Sequence, residues 1–136
     1  MKPSGRHLLA EYRGCESTLL NDIDLISKAL RQAAVEAGST IVASVFHPFT
    51  PQGVTGVVVL EESHLCIHTW PEHGYVAVDF YTCGDCEPKL AHEFLSRELG
   101  AKYAEVMFVD RGIEGVGDSM AVRKHTRSHP GAARRH

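Results

Sequence analysis

"HLCIHTWPEHGYVAVDFYT", residues 64–82, reads as two strands and the turn that joins them. "HLCIHTW" alternates polar and apolar side chains, and "YVAVDFYT" is rich in β-branched and aromatic ones. Between them, "PEHG" carries the Pro and Gly of a four-residue hairpin loop. A loop at 71–74 sets the register: Trp70 faces Tyr75, His68 faces Ala77, and further back Glu62 faces Cys83. His64, Cys66 and His68 take alternate positions, so one face of the first strand displays reactive groups where a core strand would hide apolar ones.

Neighbouring runs extend the sheet. "RHLLAEYRG" (6–14), "STIVASVFHPF" (39–49), "VTGVVVLEE" (54–62) and "AKYAEVMFVD" (101–110) all read as strands, with "TPQG" (50–53) turning the chain between two of them. Residues 17–38 read as a helix. Leu19, Leu20, Ile23, Ile26, Leu30, Ala33 and Ala34 recur at helical spacing, Ser17 or Asn21 can cap the start, and Gly38 stops the end. A second helix is expected over 87–100, with Leu90, Phe94, Leu95 and Leu99 on one side.

The order β-α-β-β-β-β-α-β predicts an α+β two-layer sandwich: a mostly antiparallel sheet with two helices on one face. The other face must be wet or covered by another subunit. Strands apolar on both parities, such as "VVVL" and "YVAVDF", favour burial on both sides and hence an oligomer. Residues 1–110 form the expected single domain. Residues 111–136 lose periodicity and end in the basic "RKHTRSHPGAARRH", expected to be a flexible tail.

Composition narrows the class. Apolar residues make up 43% and charged residues 23% of 136, the profile of a soluble globular protein. The net charge of -3, with no basic stripe before the tail, argues against nucleic acid. No apolar run reaches the length of a membrane span, and the N-terminus has no signal-peptide core. Cys15, Cys66, Cys83 and Cys86 are therefore expected to be reduced thiols in the cytoplasm.

Three chemistries compete for the reactive stretch. Cys83 and Cys86 form C-x-x-C near His64, His68 and His73, but a structural zinc site wants a second ligand pair. Cys83 with His68 could be a nucleophile pair, yet nothing local marks an oxyanion hole. The third centres on Ser63. Its hydroxyl can attack its own upstream carbonyl and convert the amide to an ester. Loss of the serine α-proton then expels the upstream acid, and the dehydroalanine left behind hydrolyses to a pyruvoyl group. This needs a kinked peptide, a group that polarises the carbonyl, and a base such as His68. Ser63 and His68 lie on opposite parities, so they converge only through a kink near Ser63. Each residue also has an ordinary reading. Ser63 can be a turn residue, His68 a strand histidine, Phe49 and Trp70 core aromatics, Cys83 inert and Glu72 solvated; His7, His64 and His73 are read as structural or solvent-facing.

"FHPFTPQGVTGVVVLEESHLCIHTWPEHGYVAVDFYTCG" (46–84) closely resembles the prokaryotic, short-type, pyruvoyl-dependent S-adenosylmethionine decarboxylase proenzymes. The likeness extends through "GRHLLAEY" and "QAAVEAGSTIV" and covers about the first 110 residues. It implies a cut between Glu62 and Ser63, with Ser63 becoming the pyruvoyl cofactor. His68 matches the processing base and Cys83 the proton donor of decarboxylation. Phe49 and Trp70 match the aromatic pair that stacks on adenine, and Glu72 matches the ribose-binding acid. The resemblance also implies a two-layer sandwich that dimerises with its sites at the interface, and a product that donates aminopropyl groups for spermidine synthesis. Two alternatives stay open: the same machinery acting on ornithine or arginine, and an unprocessed homologue without catalysis.

Thr55 departs from the family pattern, which has serine there as a second processing hydroxyl. Threonine keeps the hydroxyl but adds a methyl and a stiffer rotamer. Self-cleavage is expected to be slower, not absent, and Thr55→Ser to speed it roughly two- to tenfold, the scale of one disfavoured rotamer. The fraction of cut chain against time measures this; a wild-type chain already fully cut on purification contradicts it.

Overall fold

The computed structural model describes residues 3–113 and 120–130. Seven strands form one antiparallel sheet: β1 (Ser4–Arg13), β2 (Ile41–Pro48), β3 (Val54–Leu60), β4 (Ser63–Trp70), β5 (Tyr75–Thr82), β6 (Tyr103–Gly112) and β7 (Ala121–Ser128). Their order across the sheet is β2-β3-β4-β5-β1-β6-β7. Helices α1 (Ser17–Leu20), α2 (Ile23–Glu36) and α3 (Pro88–Glu98) complete the α+β sandwich. None of the described helices is long and apolar enough to cross a membrane.

The hairpin at 71–74 sets the sheet as the sequence predicts. Trp70 pairs with Tyr75 and His68 with Ala77, and the register runs unbroken to Ser63 and Thr82. Alternation then sorts the side chains. Leu65, Ile67, Thr69, Val76, Val78, Phe80 and Thr82 are buried beneath the helices, and Phe80 is only 1% exposed. Each such apolar side chain contributes about 1.5–3 kcal/mol by leaving water. The alternate positions, His64, Cys66, His68, Ala77, Asp79 and Tyr81, occupy the opposite, half-exposed face.

The helices follow their apolar stripes. In α2 the stripe is Ile26, Ala29, Leu30, Ala33 and Ala34, and in α3 Ala91 and Leu95 are buried with Leu99 just beyond. The expected single helix over 17–38 is broken into two. Asp22 caps α2 by accepting from the Leu25 amide at 3.1 Å, and Asn21 Oδ1 accepts from the Gly53 amide at 2.9 Å. Both side chains favour a break over continued helix. Among the described residues the sheet face therefore carries three helices rather than two, the extra one a single turn. Leu90, expected on the buried side of α3, is exposed.

The expected flexible tail needs a correction. Residues 121–128 form edge strand β7 against β6, while 114–119 and 131–136 lie outside the described residues. The backbone ladder with β6 carries the strand, and opposite charges line it. Arg123 grips the Asp110 carboxylate at 2.9–3.1 Å, and His125 and Arg127 meet Glu105 at 2.6 and 3.2 Å. Charged side chains are the usual dress of an edge strand.

Tyr12 and His92 give the fold a pH dependence. The fully buried Tyr12 hydroxyl meets His92 Nδ1 at 2.7 Å. Burial pushes His92 down to about 4 from 6.5. The unfolded chain therefore binds the extra proton between those values. Stability is complete above the unfolded value and falls as pH drops toward the folded one. The slope is at most about 1.4 kcal/mol per pH unit. Denaturant unfolding between about pH 4.5 and 7 should show this slope, and His92→Gln should flatten it; an unchanged slope in the variant contradicts the assignment.

Candidate active site

The turn between β3 and β4 is Glu61–Glu62, and Ser63 opens the next strand. Glu62 has a φ of 60°, the one non-glycine residue in the left-handed region among the described residues. That conformation costs a side-chain-bearing residue about 1–2 kcal/mol. The Glu62 carbonyl accepts the Cys83 amide proton at 2.9 Å. The Ser63 hydroxyl is turned back upstream and donates to the Glu61 carbonyl at 3.2 Å. A kinked peptide and a polarised carbonyl, two of the three requirements for serine-mediated cleavage, thus meet at Glu62–Ser63.

Cys83 follows the last residue of β5. Its thiol donates to the Tyr81 hydroxyl at 3.4 Å, whereas the Cys86 thiol donates to the Thr82 hydroxyl at 3.2 Å. Tyr81 and Thr82 point to opposite faces of the sheet, so the C-x-x-C sulfurs diverge and do not act as a pair of metal ligands. Arg6 holds the loop by donating to the carbonyls of Gly84 and Cys86 at 3.2 and 2.6 Å. A side chain at Gly84 would crowd the Glu62 carboxylate at 3.0 Å, so the loop and the turn lie against each other.

His68, Thr55, Phe49, Trp70 and Glu72 gather at the other end of the hairpin. Thr55 pairs with His68 across β3 and β4, and its hydroxyl meets His68 Nδ1 at 3.0 Å. Trp70 lies with its ring centre 6.4 Å from that of His68 and 5.2 Å from that of Tyr75. Phe49 and Trp70 are 51% and 41% exposed, too open for core aromatics. Glu72 is exposed in the single 3-10 turn Pro71–His73.

Ser63 and His68 do not converge within one chain. The kink lies at Glu62, upstream of Ser63, and β4 runs regularly from Ser63 onward. Five residues of strand separate the two by about 16 Å, and their parities put them on opposite faces.

The chain is similar to known proteins over most of its length. Residues 6–112 match the family described as S-adenosylmethionine decarboxylase. The chain belongs to the S-adenosylmethionine decarboxylase family. It is 52% identical over 113 residues to an S-adenosylmethionine decarboxylase proenzyme of Thermotoga petrophila, covering 82% of this chain and 87% of that one. A proenzyme of the same name from Geobacillus kaustophilus is 46% identical over 116 residues, covering 85% and 94%. The crystal structure of the adenosylmethionine decarboxylase from Aquifex aeolicus superposes with a TM-score of 0.76 at 36% identity, covering 85% of this chain and 97% of that one.

In this family member a polar cluster, not anticipated from sequence as part of the site, adjoins Cys83. His7 and His64 flank Tyr81 as its direct cross-strand neighbours on β1 and β4. Both histidines meet Asp79 Oδ2, at 2.9 and 3.2 Å. Burial alone would raise the Asp79 carboxyl, but these hydrogen bonds and the attraction of the two rings hold it below the usual carboxylate range. The ligating atoms of His7, His64 and Asp79 lie within 4.8 Å of one another. Arg111, however, donates to His7 Nδ1 at 3.0 Å. That tautomer leaves His7 Nε2 protonated, a donor to Asp79 rather than a metal ligand.

Proposed function

We propose that this chain is a proenzyme that cuts itself between Glu62 and Ser63 and then decarboxylates S-adenosylmethionine to the aminopropyl donor of spermidine synthesis. The observation that carries this reading is the left-handed Glu62 with its carbonyl on the Cys83 amide and Ser63 immediately after it. When the Ser63 hydroxyl attacks that carbonyl, negative charge develops on the oxygen already held by the Cys83 N–H. A donor fixed in advance is the economical way to stabilise such charge.

The residues around Ser63 suit a pyruvoyl group formed from it. The turn is accessible, and Cys83 lies beside the new N-terminus, its amide on the Glu62 carbonyl. That group supplies a ketone able to hold the substrate amine and to accept the electron pair released as CO2 leaves. Cys83 returns a proton to the substrate α-carbon. The open faces of Phe49 and Trp70 stack on the adenine and attract the sulfonium charge, and Glu72 accepts hydrogen bonds from the ribose hydroxyls. These nucleoside-binding residues favour S-adenosylmethionine over ornithine or arginine.

The working site is built by two copies of the chain. Ser63 and Cys83 stand at one end of the hairpin, and His68, Phe49, Trp70 and Glu72 at the other. Among the described residues, helices cover only one face of the sheet, and the bare face carries exposed Leu9 and Val59. A two-fold axis through that face sets the His68 end of each chain over the Ser63 end of the other and makes two equivalent sites. A partner docked on that face brings its His68 over the Glu62–Ser63 turn, where it acts as the processing base.

Coexpression of Ser63→Ala with His68→Ala tests the arrangement. Each variant alone should neither cut itself nor release CO2 from S-adenosylmethionine. A mixed dimer keeps one intact site of its two, because a wild-type Ser63 meets a wild-type His68 from the other chain. Cutting of the His68→Ala chain and CO2 release should therefore return, with none from ornithine or arginine. No recovery in verified mixed dimers contradicts the shared site, and release from ornithine or arginine alone contradicts the substrate.

A further inference from the structure

The Cys83 thiol is not left to find its own rotamer. It donates to the Tyr81 hydroxyl at 3.4 Å, an ordinary distance for a sulfur hydrogen bond. Three neighbours hold the Tyr81 ring. His64 stacks against it, with ring centres 6.0 Å apart and planes at 27°, and His7 meets it edge-on at 5.6 Å. The Arg111 guanidinium lies 5.0 Å from its centroid. Asp79 ties both histidines together from below, and Arg111 also holds His7.

Gly5 supplies an independent sign that the hydroxyl's place is built. A Cβ there would lie 2.4 Å from the Tyr81 oxygen and 2.6 Å from the ring carbon that bears it. Gly5 is not in the left-handed region, so its backbone does not demand glycine. The space it leaves open is filled by the end of the Tyr81 phenol.

We propose that Tyr81 is a positioning residue for Cys83: its hydroxyl aims the thiol in the resting enzyme and donates its own O–H to the thiolate once the thiol has given up its proton. The inference rests on Cys83 as the proton donor of decarboxylation. In that step the electron pair freed by CO2 takes the Cys83 proton at the substrate α-carbon. A negative sulfur remains until solvent reprotonates it. The Tyr81 proton stays on oxygen throughout; the hydroxyl turns from acceptor to donor, as a phenol can. The hydrogen bond from Cys83 and partial burial raise the Tyr81 pKa, against the pull of Arg111. The phenol therefore keeps its proton near neutral pH. The other charged or titratable groups facing this pair are His7 on β1, His64 on β4, Asp79 on β5, Arg111 on β6, Arg6 beneath the loop and Glu62 across it.

The test compares chains already cut before Ser63. Tyr81→Phe keeps the ring and its packing but removes the hydroxyl. It should lower kcat roughly 10- to 100-fold, the scale of losing one hydrogen bond to a charged atom, with KM unchanged. The pH midpoint for iodoacetamide labelling of Cys83, located by peptide mass, should rise by about one unit. Gly5→Ala, which pushes the hydroxyl aside, should move both readings the same way and add little to Tyr81→Phe in the double variant. An unmoved labelling midpoint overturns the proposal even if kcat falls, because a merely structural residue would leave the thiol's titration alone. Cys83→Ala separates the two levels. Full decarboxylation without the thiol sinks the proton-donor reading and this inference with it. An inactive Cys83→Ala beside a wild-type-like Tyr81→Phe sinks the Tyr81 inference only.

Discussion

The unbroken pairing of β4 with β5, from Ser63↔Thr82 to Trp70↔Tyr75, is the constraint on which the rest of this molecule depends. It buries one parity of both strands under the helices and turns the other outward. At its open end it sets the Cys83 amide on the Glu62 carbonyl. At its closed end it presents Trp70 and Glu72. A slip of one residue would exchange the faces and take the hydrogen-bond donor away from the bond to be cut. Register, in this protein, is chemistry.

The same constraint keeps the two halves of the site apart. A strand is rigid and extended, so Trp70 lies about 23 Å from Ser63 along β4. No bend within β4 closes that gap. The bare sheet face, the open aromatics and the separation of His68 from Ser63 are one geometric fact seen from three places. The proposed second copy, turned end for end, would resolve all three.

Local structure was legible in the sequence because its causes are local. The hairpin register followed from Pro71 and Gly74, and the helical stripe of α2 from its spacing. What was not legible depends on partners distant along the chain. β7 has few large apolar residues and is held by backbone pairing to β6, a partner its own residues do not announce. The His7–Tyr81–His64 row exists only because β1 inserts beside β5, a neighbour no turn announces. Asn21 ends α1 where a helix seemed to continue because its side chain serves the turn at Gly53. The motif around Ser63 named candidate residues, but the kink expected to bring His68 to Ser63 lies at Glu62, upstream of a regular strand.

The central claim is that strain and polarisation at Glu62 prepare the chain to cut itself. A denaturing intact-mass spectrum of freshly made protein, followed over time, tests it most directly. The account predicts conversion of the 136-residue chain into fragments of 62 and 74 residues, the larger beginning with a pyruvoyl group in place of an amine. A chain of 136 residues that stays whole would contradict it.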